Sequence, residues 1–231
     1  MAVPGAASSL EVSVKRIDLE GWSRRDQYRY FSKMQCPYCS VTCEIDVSAA
    51  RSFMKDSGIP SYVGMIYLVT KAANSVPELR LRIEGEAVYD HDVVHPSFTI
   101  LSDGGQLYFC RTRYTDDPGA FIKHTREVMA QTKSAGECPL DSTGQDVLYL
   151  SCLPWVHFTS VSHPMNLNSP DAIPRIVWGR FEAKENKTVM AVNLQVHHGL
   201  ADGLHISQFM QALGESCAAP DAGFAGLARS F

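Results

Sequence analysis

The sequence lacks most of the features that would place a chain in a special class. Its most continuous apolar run, "YVGMIYLV", is far short of the roughly 20 residues that cross a bilayer. The opening stretch "MAVPGAASSLEVSVKR" has neither a basic leader nor a long apolar segment, so an export signal is not expected and a cytoplasmic location is. There is no excess of basic residues: Lys and Arg number 21 against 25 Asp and Glu, a net charge of −4. Neither nucleic acid nor an anionic membrane is therefore an expected partner. Internal repeats and low-complexity tracts are absent. Cysteine is present but not as a disulfide framework, because the seven residues are odd in number and scattered from Cys36 to Cys217. They are expected to be reduced and mostly buried.

What remains is an ordinary globular composition, 45% hydrophobic and 20% charged, which excludes a disordered chain. A length of 231 residues suffices for one domain over 1–231, with about 1–20 and 219–231 as peripheral tails. "VTCEIDV" alternates, putting Val41, Cys43, Ile45 and Val47 on one strand face. Ser48 is placed to cap a helix over "AARSFMKDS" that Gly58 closes, and Pro60 opens a second one with Met65, Ile66, Val69 and Ala73 at helical spacing. "ELRLRIEGEAVYD" reads as a strand, a turn at Glu84-Gly85 and a second strand; "SFTILSDGGQLYFCRTRY" repeats that pattern. A long helix is expected from Asp117 to Ser134 with Phe121, Ile122 and Met129 inward. "VLYLSCLPW" is a strand stopped by Pro154, and "RIVWGRFEA" with "TVMAVNLQVHH" a hairpin around "KENK". Asp202 caps a last helix carrying Leu204, Ile206, Phe209, Met210 and Leu213. Interspersed helices and hairpins imply an α/β fold with a mixed sheet, not a doubly wound parallel one.

Two motifs invite chemistry. "CPYC", Cys36 to Cys39, has the spacing of a thiol-redox pair. Such a pair needs a helix N-terminus to stabilise the thiolate, and here a strand follows. Cys43 adds a third sulfur but no fourth metal ligand. "QVHHGLADGLH" ends a strand in His197 and His198. Neighbouring strand residues face opposite ways, so these two cannot chelate one metal, with or without His205. Asn193, Gln195 and His197 share one face; Leu194, Val196 and His198 share the apolar one. A histidine leaving the core side is usually a satisfied core residue. Gly199, which permits close backbone approach, and the Asp202-Gly203 turn favour a general base on a rigid mount instead. Asp202 is positioned either to cap the helix or to hold an arginine.

The stretch "QVHHGLADGLHISQFMQAL" resembles the His-His-x-x-x-Asp-Gly signature of the chloramphenicol acetyltransferase family. That signature is also similar to coenzyme-A-dependent acyltransferases and peptide-synthetase condensation domains more widely. "GWSRRDQYRYF", "VGMIYLVTKAANSVPELRLRI", "VVHPSFTIL" and "LSCLPWVHFTS" are similar to further segments of the narrower family, in order from Trp22 to Cys217. The resemblance implies a large mixed sheet flanked by helices in two layers, acetyl-CoA as co-substrate, no metal, and homotrimers whose active sites lie between subunits.

By the same resemblance, His198 is the general base that takes a proton from the acceptor hydroxyl. Ser151 donates to the oxyanion of the tetrahedral intermediate. Asp202 pairs with Arg24 as structural support. Tyr62, Arg180 and Phe181 fall where the family handles CoA. Tyr30, Phe31, Cys39, Thr99, Arg175 and Val177 fall in the acceptor pocket. Arg175 and Val177 stand where Ile and Thr are common, and Cys39 where Phe is. Unpaired, Arg175 would be costly to desolvate beside a neutral acceptor. Either it reaches a carboxylate or solvent, or the acceptor carries a group for it. The expected activity is O-acetylation of chloramphenicol. The alternatives are the same transfer to another alcohol or an amine, a thiol oxidoreductase using Cys36 and Cys39, and a binding protein that kept the fold.

Overall fold

The computed structural model describes residues 13–136, 144–167 and 171–227. Cys138 and the outer parts of both tails, 1–12 and 228–231, lie outside the described residues. The strands are β1 (Val14–Arg16), β2 (Tyr38–Asp46), β3 (Leu81–Glu84), β4 (Ala87–His91), β5 (His95–Leu101), β6 (Leu107–Arg111), β7 (Val147–Leu153), β8 (Arg175–Lys184) and β9 (Lys187–His197). The helices are α1 (Arg25–Phe31), α2 (Ser48–Asp56), α3 (Ser61–Asn74), α4 (Pro118–Ala135), α5 (Gly203–Ala218) and the short α6 (Pro220–Gly223).

Six strands form one mixed sheet in the order β2-β9-β8-β7-β5-β6. The β5–β7 and β7–β8 pairs are parallel and the other three are antiparallel. Period-two alternation gives the sheet two different faces. One carries Val41, Cys43, Phe98, Ile100, Leu148, Leu150, Ile176, Trp178, Val192 and Leu194 into the core, against α2, α3, α4 and α5. Among the described residues, no helix packs on the other. Helix α3 is buried almost all round, from Val63 to Ala73, because it is sandwiched between the sheet, α4 and α5. Phe209 of α5 is fully buried, and an aromatic side chain so placed contributes about 1.5–3 kcal/mol through its apolar area.

A second, three-stranded sheet, β1-β4-β3, adds an unforeseen strand β1 to the β3–β4 hairpin expected from the sequence. Its edge strand β1 comes from the stretch expected to be a peripheral tail. Other local expectations also need correction. Ser48 is the first residue of α2 and not its cap; its hydroxyl donates to Asp46 Oδ1 at 2.7 Å. Residues Pro77–Arg80 form a single 3₁₀ turn before β3. Glu84 pairs with Ala87, so the turn residues are Gly85, with φ 61°, and Glu86. Leu204 points to solvent at 63% exposure.

Arg82 is fully buried and, among the described residues, no carboxylate is bonded to it. Its guanidinium donates to the carbonyls of Gln145 (2.6 Å), Leu79 (2.9 Å), Leu81 (2.7 Å) and Val147 (2.5 Å). Burial pulls its pKa down to about 9, against the upward pull of Asp146. The residue ties β3 to the start of β7, the strand that carries Ser151.

Candidate active site

Strand β9 ends at His197, where the chain reverses. Leu200 and Ala201 N–H both donate to His197 O, at 2.9 and 3.1 Å. Gly199 sits inside this turn: a Cβ there would lie 3.1 Å from the His197 ring and 3.2 Å from Tyr28 Cα, so only hydrogen fits comfortably. His198 N–H donates to Pro37 O at 2.7 Å. The His198 ring stacks on Phe31 with centroids 3.9 Å apart, and its Nδ1 lies 3.3 Å from Ala201 O. A carbonyl only accepts, so Nδ1 carries the proton and Nε2 keeps a lone pair, the arrangement a general base needs.

Arg24 Nη1 donates to Asp202 Oδ2 at 2.7 Å, and its Nη2 lies 3.5 Å from His198 O. Asp202 does both of the things considered for it. It also caps α5, accepting from Leu204 N–H at 3.0 Å. Burial raises the Asp202 pKa, but the hydrogen bonds from Arg24 and Leu204 outweigh that and hold it below the usual carboxylate value. Cys39 lies opposite Val196 on β2, close to this loop. Burial, then the Asp202 charge, pushes its thiol up, the reverse of what a redox thiolate requires. Strand β2 begins at Tyr38, so no helix N-terminus follows Cys36. Tyr30 packs edge-on against Phe31 and is 63% exposed.

Ser151 belongs to the other face of the sheet. Its Oγ is 3.3 Å from Thr99 Oγ1, and it pairs in register with Val177. Arg175 shares that face and is not unpaired. It grips Asp171 through two bonds, of 2.9 and 2.7 Å, donates to Ile173 O at 3.2 Å, and lies over the Tyr149 ring. Part of this face is covered by the segment after β7. His163 Nε2 lies 3.3 Å from Asn193 Oδ1, and Gln195 Nε2 lies 3.1 Å from Met165 S. Over β5 and β6 the face stays open, with Leu101, Leu107 and Phe109 exposed.

The expected site residues therefore fall into two groups. Arg24, Tyr30, Phe31, Cys39, His198 and Asp202 cluster at the end of β9. Thr99, Ser151, Arg175 and Val177 lie on the helix-free face. Ser151 aligns through Val177 with Asn193. His198 is five residues farther along, which makes about 17 Å along the strand and about 10 Å across two strand spacings. One chain does not bring His198 and Ser151 together.

The three residues assigned to CoA differ in their surroundings. Tyr62 is wedged between Phe98 and Trp178 on the core side, its hydroxyl donating to Thr99 O at 2.6 Å. Arg180 is exposed and paired with Glu182, while Phe181 packs on the core. Gly179, just before them, admits the loop after β7: a Cβ would lie 2.9 Å from Val156 O.

His197 faces away from His198's side of the strand, is 3% exposed, and accepts the Gly199 N–H on Nδ1. Burial pushes its pKa down to about 4, Asp171 opposing. Burial likewise lowers His91, His95 and His163. These rings are neutral in the folded chain, whereas the unfolded chain takes up protons below about pH 6.5. Stability is therefore complete above that pH and falls as pH drops toward 4. His197 alone accounts for a loss on the order of 3 kcal/mol. Urea midpoints measured from pH 7.5 to 4 test this; a flat profile above pH 4.5 would contradict it.

Asp171, Glu78 and His205 escaped the sequence reading as contributors to these clusters. Asp171 stands four residues before Arg175 but on no helix, so spacing gives no cue. His205 stands three residues after Asp202, the position where a capping box places Glu or Gln.

Comparison with known proteins is consistent across sequence and structure. Residues 12–214 match the family model described as chloramphenicol acetyltransferase. A chloramphenicol acetyltransferase of Staphylococcus aureus is 31% identical over 209 residues, covering 88% of this chain and 95% of that one. Chloramphenicol acetyltransferase 2 of Haemophilus influenzae is 29% identical over 207 residues, 87% of this chain and 96% of the other. A solved structure of a chloramphenicol acetyltransferase superposes with a TM-score of 0.78 at 25% identity, covering 88% of this chain and 99% of that one.

Proposed function

Because the chain belongs to the chloramphenicol acetyltransferase family, we propose that it transfers acetyl from acetyl-CoA to a hydroxyl of chloramphenicol with His198 as the general base. The observation that carries this reading is the His198 ring, stacked on Phe31 with Nδ1 turned to Ala201 O. Its Nε2 removes the acceptor proton as the oxygen attacks the thioester carbonyl. The electron pair moves onto the carbonyl oxygen, and Ser151 donates to that oxyanion. Collapse expels the CoA thiolate, which takes the proton from His198. No metal enters the step.

The family resemblance implies a homotrimer, and the remoteness of His198 from Ser151 within a chain supports a working unit in which His198 of one subunit meets Ser151 of the next. Exposed apolar residues rim both half-sites. Tyr30, Met34 and Leu204 lie near the first, and Leu101, Leu107 and Phe109 beside the second. Such patches favour association. The acetyl-CoA channel would be bordered by Tyr62, Arg180 and Phe181, with Arg180 offering charge to a phosphate.

Pairing with Asp171 removes the objection that Arg175 raised against a neutral acceptor. Thr99, Val177 and Tyr149 leave a wall of mixed character suited to an aromatic alcohol. No comparable observation favours an amine acceptor. The direct test is release of free CoA from acetyl-CoA with and without chloramphenicol; equal rates would remove chloramphenicol as acceptor. Val177 neighbours Ser151 in register and is 5% exposed. Val177→Thr adds a hydroxyl that can hold a water at the reacting centre, and should raise kcat by about fivefold. Arg175→Ile strands the Asp171 carboxylate and should give no gain. Improvement by Arg175→Ile alone in steady-state kinetics would mean that the ion pair obstructs the pocket.

A further inference from the structure

Asp202 has a second neighbour besides Arg24, the imidazole of His205 in the first turn of α5. That side chain is 9% exposed and lies between two carboxylates. Its Nδ1 is 3.1 Å from the Asp202 backbone nitrogen and 3.0 Å from Asp202 Oδ1; its Nε2 is 3.4 Å from Glu78 Oε1. With one ring proton, on Nε2 toward Glu78, Nδ1 accepts the Asp202 N–H. This is a capping box in which histidine takes the usual place of Glu or Gln. With a second proton, on Nδ1, the ring holds Asp202 Oδ1 instead. Residue 202 is gripped in either state. Glu78 sits in the 3₁₀ turn that leads into β3, so the grip reaches from the small sheet to the His198 loop.

We propose that His205, backed by Glu78, is a positioning residue for His198: it fixes Asp202, Asp202 fixes Arg24, and Arg24 sits against the His198 carbonyl. This rests on His198 being the base. His205 touches no reacting atom. Its contribution is to keep the Arg24 charge neutralised and the base in place, and small displacements of a catalytic group are costly.

The test compares His205→Leu, which fills the space without an acceptor, with His205→Gln, which restores one. Kinetics use acetyl-CoA and chloramphenicol; hydrogen exchange of the backbone amides from 198 to 204 uses the protein without substrates. His205→Leu should lower kcat about tenfold with both KM values within about twofold. Exchange at 198–204 should accelerate about tenfold while the middle of β9 is unchanged. His205→Gln should reverse each effect. Glu78→Leu, at a side chain only partly buried (27% exposed), gives the same test if His205→Leu does not fold. Unchanged exchange in His205→Leu, or equal losses in Leu and Gln, would overturn the proposal. A wild type that does not turn over chloramphenicol would defeat the acceptor assignment instead, and the exchange comparison would still decide the role of His205.

Discussion

Replacing His198 with alanine is expected to lower kcat by about 10²–10⁴ for loss of the base alone, and further because the acceptor hydroxyl loses its anchor. KM for acetyl-CoA should change little. Phe31 stacks on the ring, and Ala201 O lies within hydrogen-bonding reach of Nδ1, which supports the reading of His198 as the base. His197→Ala removes an imidazole that is buried, depressed in pKa to about 4 and engaged with Gly199 N–H. It should weaken folding and leave the chemical step far less affected. The two variants, assayed side by side for CoA release, distinguish the roles. A dispensable His198 with an essential His197 would refute both the strand-facing argument and the proposed mechanism.

Those two adjacent histidines also mark how far the sequence could be read. Alternation over Asn193 to His197 set His197 on the face of Asn193 and Gln195, because β9 is a regular strand up to that residue and its pattern is set by backbone geometry. The helices α3, α4 and α5 were legible for the same reason: apolar spacing and breakers such as Pro60 and Pro118 are local. The faces of β2, β8 and β9 were legible from their alternation, but the strand order was not, because pairing is a long-range outcome. Neither the addition of β1 to the β3–β4 hairpin nor the distance between Ser151 and His198 has a local signature. Arg82 shows the limit most clearly. Within "LRLRI" it reads as one more polar residue of an alternating strand. Its burial depends on the carbonyls of Gln145 and Val147, more than sixty residues away. Arg175 is the converse case. Its cost was foreseen from its strand face, but the carboxylate that removes the cost comes from an irregular segment where no periodicity points to a partner. Of the site, the residue types were legible and their mutual geometry was not.

Ser151→Ala is the second substitution with a large expected effect, and its partner variant makes it a test of the assembly. Losing one oxyanion donor should cost about 10²–10³ in kcat with little change in KM, since the hydroxyl is used mainly in the transition state. Within one chain, Ser151 and His198 are about 20 Å apart by strand register. If each site takes its histidine from one subunit and its serine from the next, two defective chains can repair each other. His198→Ala chains retain Ser151, and Ser151→Ala chains retain His198. Refolded together in equal amounts as random trimers, they should form about one intact site in four, and so recover roughly a quarter of wild-type activity from two nearly inactive parents. Activity of the mixture no greater than the mean of its parents would mean that each chain builds its site alone, and would exclude Ser151 as the donor to the intermediate formed at His198.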